Sequence, residues 1–262
     1  MPSTAERARA FVNLHVAGQP VVLYNVWDAG SARVVAQAGA KALATGSWSV
    51  AMAHGYGDGE EIPLDLVIAN LERIVRVAST MGSLPVTLDF ETGYGSTAAE
   101  VGASFTQVLE AGAVGANLED RVIDDDALRP IAEQCERLGA AREAADRLRI
   151  PAFLNARTDV FLQADPDSHD EALVDVALAR AAAYAEAGAS GFFAPGLVRE
   201  PLIARLCEGS PLPVNIMASP HAPAGPRLAE LGVARISHGP GPYRLAMKTL
   251  EQAARAVHGT EI

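Results

Sequence analysis

An α/β fold, a closed (β/α)₈ TIM barrel in a single domain over residues 1–262, is what this sequence predicts, on three observations. Eight short β-rich runs bounded by Gly or Pro recur along the chain, alanine-rich segments with helical periodicity separate them, and no Pro/Ser-rich linker or composition break divides it. Alternating strands and helices favour a parallel sheet, and eight such units in roughly 250 residues match a closed barrel better than an open sheet.

The runs are VVLYNV from Val21, ALATGS from Ala42, PVTLDFE from Pro85, GANLED from Gly115, PAFLNAR from Pro151, GFFAPG from Gly191, PVNIMA from Pro213 and RISHG from Arg235. Each combines β-branched or aromatic residues with flanking turn formers. Between them, LDLVIANLERIVRVASTMG, AAEVGASFTQVLEAGA and DEALVDVALARAAAYAEAGA repeat apolar residues three and four apart, the spacing of a helix covering a sheet. Ala-Gly-Ala at 38–40, 111–113 and 187–189 supplies the left-handed glycine that stops a helix. The rival, an open sheet binding a dinucleotide, expects G-x-G-x-x-G after the first strand; the chain has only GYGDG after the second.

Composition narrows the function. A formal charge of −11 and a pI near 5.0 exclude a broad nucleic-acid footprint, because most of the surface would repel a phosphate backbone. Cys135 and Cys207 stand far apart with no Cys/His cluster, so neither a disulfide framework nor a zinc site is expected, and a reducing, cytoplasmic compartment is the default. The opening MPSTAERARAFVNLHVAG lacks the apolar core and cleavage site of a signal peptide, and no apolar run is long enough for a membrane helix.

In such a barrel the active site forms at the C-terminal strand ends, which here carry Asp28, Ser47, Trp48, Asp89, Glu91, Glu119, Asp120, Arg157, Asp159, Asn215 and His238. Side chains alternate along a strand, so Asp89 and Glu91 are expected on one face with Phe90 on the other, converging with Glu119. Clustered carboxylates raise one another's pKa unless a cation is present, and a divalent metal resolves the conflict. Mg²⁺ keeps several waters and takes one or two carboxylates directly, so Asp89 is expected as the ligand, with Glu91 and Glu119 holding metal-bound waters. Arg157 is placed to bind a substrate carboxylate or phosphonate bidentately.

Plainer roles compete. An isolated acidic pair is commonly a solvated loop or helix cap. Arg157 could equally form a structural ion pair with Asp120 or Asp159, His238 could be a loop histidine beside two turn glycines, and Cys135 a small buried apolar residue. The run Asp124–Asp126 reads as a helix start before Ala127.

Taken together the motifs resemble the isocitrate lyase and phosphoenolpyruvate mutase superfamily over nearly the whole chain. NVWDAGSARVVAQAGAKALATGSWSVA, followed by the Gly-Asp of GYGDG, is similar to the opening two strands of that family, LDFETGYG to its Asp-x-Asp-x-Gly-x-Gly metal motif, and LED, NARTD and GPGPYR follow in order. The resemblance implies an enzyme using Mg²⁺, or Mn²⁺ in its place, on a small anionic 2-oxo or 2-hydroxy acid. It makes Asp89 the metal ligand with Asp58, Glu91 and Glu119 around its waters. Asp58, Glu119 and Arg157 become the catalytic residues, and Gly46, Ser47 and Trp48 present amides to the substrate. Tyr24, Asn215 and His238 complete the substrate-binding set. It further implies a homo-oligomer, a dimer of dimers, with the C-terminal helix around Leu245–Val257 exchanged between subunits.

Two departures shape the expected activity. Glu91 stands where the family has Asp, one methylene longer. After LED comes RVIDDDALRPIAEQ, where isocitrate and methylisocitrate lyases carry a Lys-Lys/Arg-Cys-Gly-His loop and the phosphonate enzymes a Lys and Asn-Ser loop. The first absence argues against those two lyase activities. The expected function is therefore a Mg²⁺-dependent C–C lyase resembling oxaloacetate decarboxylase. Its alternatives are P–C chemistry on phosphonopyruvate and a non-catalytic binding barrel.

Overall fold

The computed structural model describes residues 2–123, 125 and 127–259. In chain order the elements are α1 (Thr4–Val12), β1 (Val21–Leu23), α2 (Ala29–Gln37), β2 (Leu43–Ala44), α3 (Ser47–His54), α4 (Leu64–Thr80), β3 (Val86–Asp89), α5 (Ala98–Glu110), β4 (Gly115–Glu119) and α6 (Ile131–Arg147). They continue as β5 (Phe153–Arg157), α7 (Val160–Gln163), α8 (Glu171–Glu186), β6 (Gly191–Phe193), α9 (Glu200–Gly209), β7 (Val214–Met217), α10 (Gly225–Glu230), β8 (Arg235–Ser237) and α11 (Gly241–His258).

All eight expected runs become strands, parallel throughout, in the order β1-β8-β7-β6-β5-β4-β3-β2. A parallel bridge between Val26 and Thr45 joins the chain just beyond β1 and β2, bringing the ring nearly to closure. The strands are shorter than the runs because their C-terminal residues leave the sheet to build the mouth. Gly39, Gly112 and Gly188, the centres of the three Ala-Gly-Ala stops, have φ of +94°, +99° and +97°, a conformation in which a Cβ would be strained.

Two apolar clusters hold the barrel. One lies between sheet and helices: Val67, Leu71, Ile74 and Ala78 of α4, three and four residues apart, pack with Val101, Phe105 and Val108 of α5. Each Val, Leu, Ile or Phe among them stabilises the fold by roughly 1.5–3 kcal/mol on burial. The other sits inside the ring at its N-terminal end, where Ala8 and Phe11 of α1 meet Val21, Leu23, Val114 and Phe153 at the strand starts. With α1 closing that end, the site has the opposite end. Among the described residues no helix is long and apolar enough to cross a membrane.

Three local expectations need correction. The helix after the fourth strand begins at Ile131 behind Pro130, not at Ala127, because Arg121 and Leu128 pair across the intervening loop; Asp124 and Asp126 lie outside the described residues. Asp28 is a helix cap, its Oδ1 accepting the Ser31 amide at 2.7 Å at the start of α2. Asp89 and Glu91 do not alternate along one strand, since β3 ends at Asp89 and Glu91 has φ +50°.

Candidate active site

A cavity of about 180 Å³ opens at the C-terminal end of the strands, its wall including Asn25, Ser47, Asp58, Asp89, Asn117 and Arg157. Gly46, Trp48 and Ser49 also line it, because α3 starts at this point. No side chain caps that helix, and its first-turn amides have no intrahelical acceptor, so they are available to an anion. Ser47 differs: its amide and hydroxyl both donate to Asp89 Oδ2 at 3.0 Å. Asn117 donates to Asp89 Oδ1 at 3.2 Å. Both Asp89 oxygens are thereby oriented, Oδ2 by two donors and Oδ1 by one, which leaves Oδ1 the lone-pair capacity for a cation.

Glu91 is tied differently. Its Oε2 accepts the Gly59 and Glu60 amides at 2.9 and 2.8 Å, and its Oε1 accepts the Tyr94 hydroxyl at 3.0 Å. Burial, then the neighbouring Asp58, pushes its carboxyl up to about 7. Burial and Asp89 likewise raise Asp58. Glu119 is raised by burial, against the pull of Arg157.

Arg157 forms a buried fork. Nε and Nη2 donate to the two oxygens of Asp159 at 2.7 and 2.9 Å, and Nη1 contacts Glu119 Oε2 at 2.7 Å. Burial opposes the guanidinium charge, but the two acids outweigh it and hold Arg157 protonated. The expected pairing with Asp159 is thus present, while Asp120 takes the Asp159 amide, Arg180 and the Tyr184 hydroxyl instead.

One layer below, Asn155 donates to Asn117 and Asn215, and Arg235 to Asn117. Asn215 is buried in this layer and is not among the residues that line the cavity. Tyr24 and His238 pack against each other with ring centroids 4.9 Å apart and planes tilted at 54°, also outside the lining.

The sequence profile of the phosphoenolpyruvate phosphomutase family matches residues 11–258. The chain belongs to the phosphoenolpyruvate mutase and isocitrate lyase superfamily. Among members of that superfamily and its neighbours, a crystal structure from Burkholderia cenocepacia J2315, provisionally named a phosphonomutase, is 53% identical with a TM-score of 0.93, covering 98% of this chain and 100% of that one. An uncharacterised Mycobacterium tuberculosis H37Rv protein is 33% identical over 96% of this chain and 90% of its own length. An oxaloacetate decarboxylase of Pseudomonas aeruginosa is 28% identical over 90% of this chain and 79% of its own.

Against this superfamily background, residues that the sequence reading passed over stand in the wall. Asn117 precedes Glu119 by two positions in β4, so the alternation applied to acids would have found it. Arg244 lies in the first turn of α11, its guanidinium 4.7 Å over the Trp48 ring, and lines the same cavity. Among the described residues no three His, Cys, Asp or Glu side chains converge closely enough to ligate a metal directly. That donor set fits a largely hydrated ion on one direct carboxylate, Asp89, and does not fit a dehydrated, fully protein-ligated one.

Glu91 also sets a pH dependence. Its carboxyl holds a proton up to about 7 in the native state but only to about 4.5 when exposed. Native protein binds the extra proton between those values, so metal-free stability falls as pH rises from about 5 through 7, by on the order of 2–3 kcal/mol. Urea midpoints measured from pH 5 to 8 are expected to decline in the wild type and to decline less steeply in Glu91→Gln, where the raised Glu119 and Asp58 carboxyls still contribute.

Proposed function

We propose that this chain is a Mg²⁺-dependent lyase that breaks a carbon–carbon bond of a small 2-oxo or 2-hydroxy carboxylic acid, in the manner of an oxaloacetate decarboxylase. One observation carries the reading: a single cavity gathers Asp58, Asp89 and Arg157 around the start of α3, and among the described residues no Lys, His or Cys lines its wall. Loss of CO₂ from a 2-oxo acid requires charge stabilisation of the enolate left behind, which fixed donors supply. Cleaving a 2-hydroxy acid also requires a base for the hydroxyl proton, for which this wall offers only carboxylates.

Asp89 would hold Mg²⁺, or Mn²⁺, with Asp58, Glu91 and Glu119 toward its waters, and the ion would supply Lewis-acid polarisation of the 2-oxo group. Arg157, already aligned by Asp159 and Glu119, draws the substrate carboxylate through its remaining N–H groups. The Trp48 amide, with Gly46 and Ser47 shaping the turn, receives the oxygen on which charge develops. Trp48, Leu162, Phe193, Pro195, Met217 and Pro240 form the apolar part of the wall and keep water from the carbanion.

A second reading, P–C mutase or hydrolase chemistry on phosphonopyruvate, is favoured by the 53% identity to the provisional phosphonomutase and by two guanidinium groups, Arg157 and Arg244, in one cavity. Product analysis by NMR with Mg²⁺ separates the two. The panel is oxaloacetate, phosphonopyruvate, 2-methylisocitrate and substituted malates. Pyruvate from a C–C substrate, above the uncatalysed rate, supports the lyase. Phosphoenolpyruvate or inorganic phosphate from phosphonopyruvate favours the second reading, and thermal stabilisation without turnover of any acid points to a binding barrel.

The same proposal extends to assembly as a homo-oligomer. In α11 only Pro242 is buried, and the stripe Tyr243, Met247, Leu250, Ala254 and Val257 ends in residues 61% (Leu250) and 82% (Val257) exposed. Val22 and Val34, on the groove between β1 and α2, are 51% and 65% exposed. A stable monomer seldom leaves a stripe and a groove of this kind open. Sedimentation of a Leu250→Glu/Val257→Glu variant is expected to give a smaller species than the wild type.

A further inference from the structure

Two carboxylates face each other across the loops that carry the acidic site. Glu91, beyond β3, accepts the Gly59 and Glu60 amides. Glu60, on the opposite loop, returns the contact: its Oε1 accepts the Thr92 amide at 3.0 Å, the Thr92 hydroxyl at 2.7 Å and the Tyr94 amide at 2.9 Å. Each loop's carboxylate therefore gathers the other loop's backbone donors. Arg137 of α6 fixes the far side of the second loop through the Thr92, Gly95 and Ser96 carbonyls, at 2.7, 2.9 and 3.4 Å.

The backbone would not hold this shape by its own preference. Glu60, Glu91 and Tyr94 have φ of +62°, +50° and +52°, a left-handed region that side chains rarely adopt. Such residues persist where surrounding contacts over-determine them, and here the contacts are the reciprocal carboxylates. The residue two before Glu60 is Asp58, which lines the cavity and is repelled by Asp89 and Glu91. Arg157 and Arg121 draw the same carboxylate, so an untethered loop would leave Asp58 free to shift among these charges instead of holding one place.

We propose that Glu60 is a positioning residue for Asp58, latching the Asp58 loop to the Thr92–Tyr94 backbone so that Asp58 and Asp89 are held at one spacing before substrate arrives. The positioning role rests on Asp58 standing toward the metal's waters, as under the proposed function; the latch itself does not. Glu60→Gln keeps the acceptor oxygen and so keeps the latch, whereas Glu60→Ala removes it. Glu60→Asp, one methylene short of Thr92, serves in its place should the alanine protein not fold.

The test uses the full-length enzyme and two readouts. Amide exchange by mass spectrometry, without metal or substrate, is expected to speed up by about tenfold in the 55–61 and 91–96 segments of Glu60→Ala and to stay at the wild-type rate in Glu60→Gln. On the acid that the wild type turns over, Glu60→Ala is expected to lose about 100-fold in kcat with little change in KM, the scale of a misplaced catalytic group. Glu60→Gln stays within about threefold, and Glu60→Ala added to Asp58→Asn costs no more than about threefold further, since both act at one point. Unchanged exchange in the alanine protein overturns the latch. A 100-fold loss that persists in the Asp58→Asn background overturns its action through Asp58. Should the wild type turn over none of the acids, the lyase reading fails by itself, and the exchange comparison still decides the latch.

Discussion

Replacing Asp89 by alanine is expected to lower turnover by about three orders of magnitude, the scale on which losing a centre of transition-state charge stabilisation acts. Stability should scarcely change. Asp89 organises Ser47 and Asn117, but it also repels Asp58 and Glu119, and removing its charge relieves both. The two effects oppose, so the urea midpoint of the metal-free variant is expected to stay within about 1 kcal/mol of wild type, the range of a typical hydrogen bond. Stability and activity measured on the same preparation check this: a large loss of both would mean that Asp89 is chiefly structural.

Arg157 is where stability and function coincide. Glu119 and Asp159 are both buried beside its guanidinium. Arg157→Met leaves two buried carboxylates without their counter-charge, a loss expected to cost about 3–5 kcal/mol at pH 8. The deficit should shrink as pH falls. Without the cation the Glu119 carboxyl rises further in the native state, so the variant binds a proton that its unfolded chain releases, and stability returns toward acid pH. Arg157→Lys keeps the charge but not the fork; it should retain most of the stability and still lose substrate affinity, because an ammonium cannot align one carboxylate with two others. Urea titrations at pH 6 and pH 8 with the three proteins test the order. Equal stability of Arg157→Met and wild type at pH 8 would show that the ion pairs contribute nothing.

The eight strands were legible because each is a short apolar run ended by Gly, Pro or a polar residue, and because the Ala-Gly-Ala stops mark where helices turn back. The convergence of Asp89, Glu119 and Arg157 at one mouth, the candidate site, was legible by strand-end position. What the alternation rule missed is Glu91. The rule holds only while the backbone stays extended, and the chain turns left-handed immediately after Phe90. Glu91 still comes near Asp89, but as a receptor for the Gly59 and Glu60 amides, a partner 31 or 32 positions away that no local pattern announces. Asp28 shows the converse error: a capping box with Ser31 was present in the local sequence and outweighed its place at a strand end. Arg244 was hidden for another reason. It stands on a helix, outside the strand-end pattern, and only the approach of α11 to Trp48 brings it to the cavity.

The most direct measurement is turnover of oxaloacetate by enzyme stripped with a chelator, with pyruvate and CO₂ quantified above the uncatalysed rate before and after Mg²⁺ is returned. The account predicts loss of activity on stripping, recovery with Mg²⁺ or Mn²⁺, and no recovery in Asp89→Ala. Full turnover by the stripped enzyme, or undiminished turnover by Asp89→Ala, would contradict it.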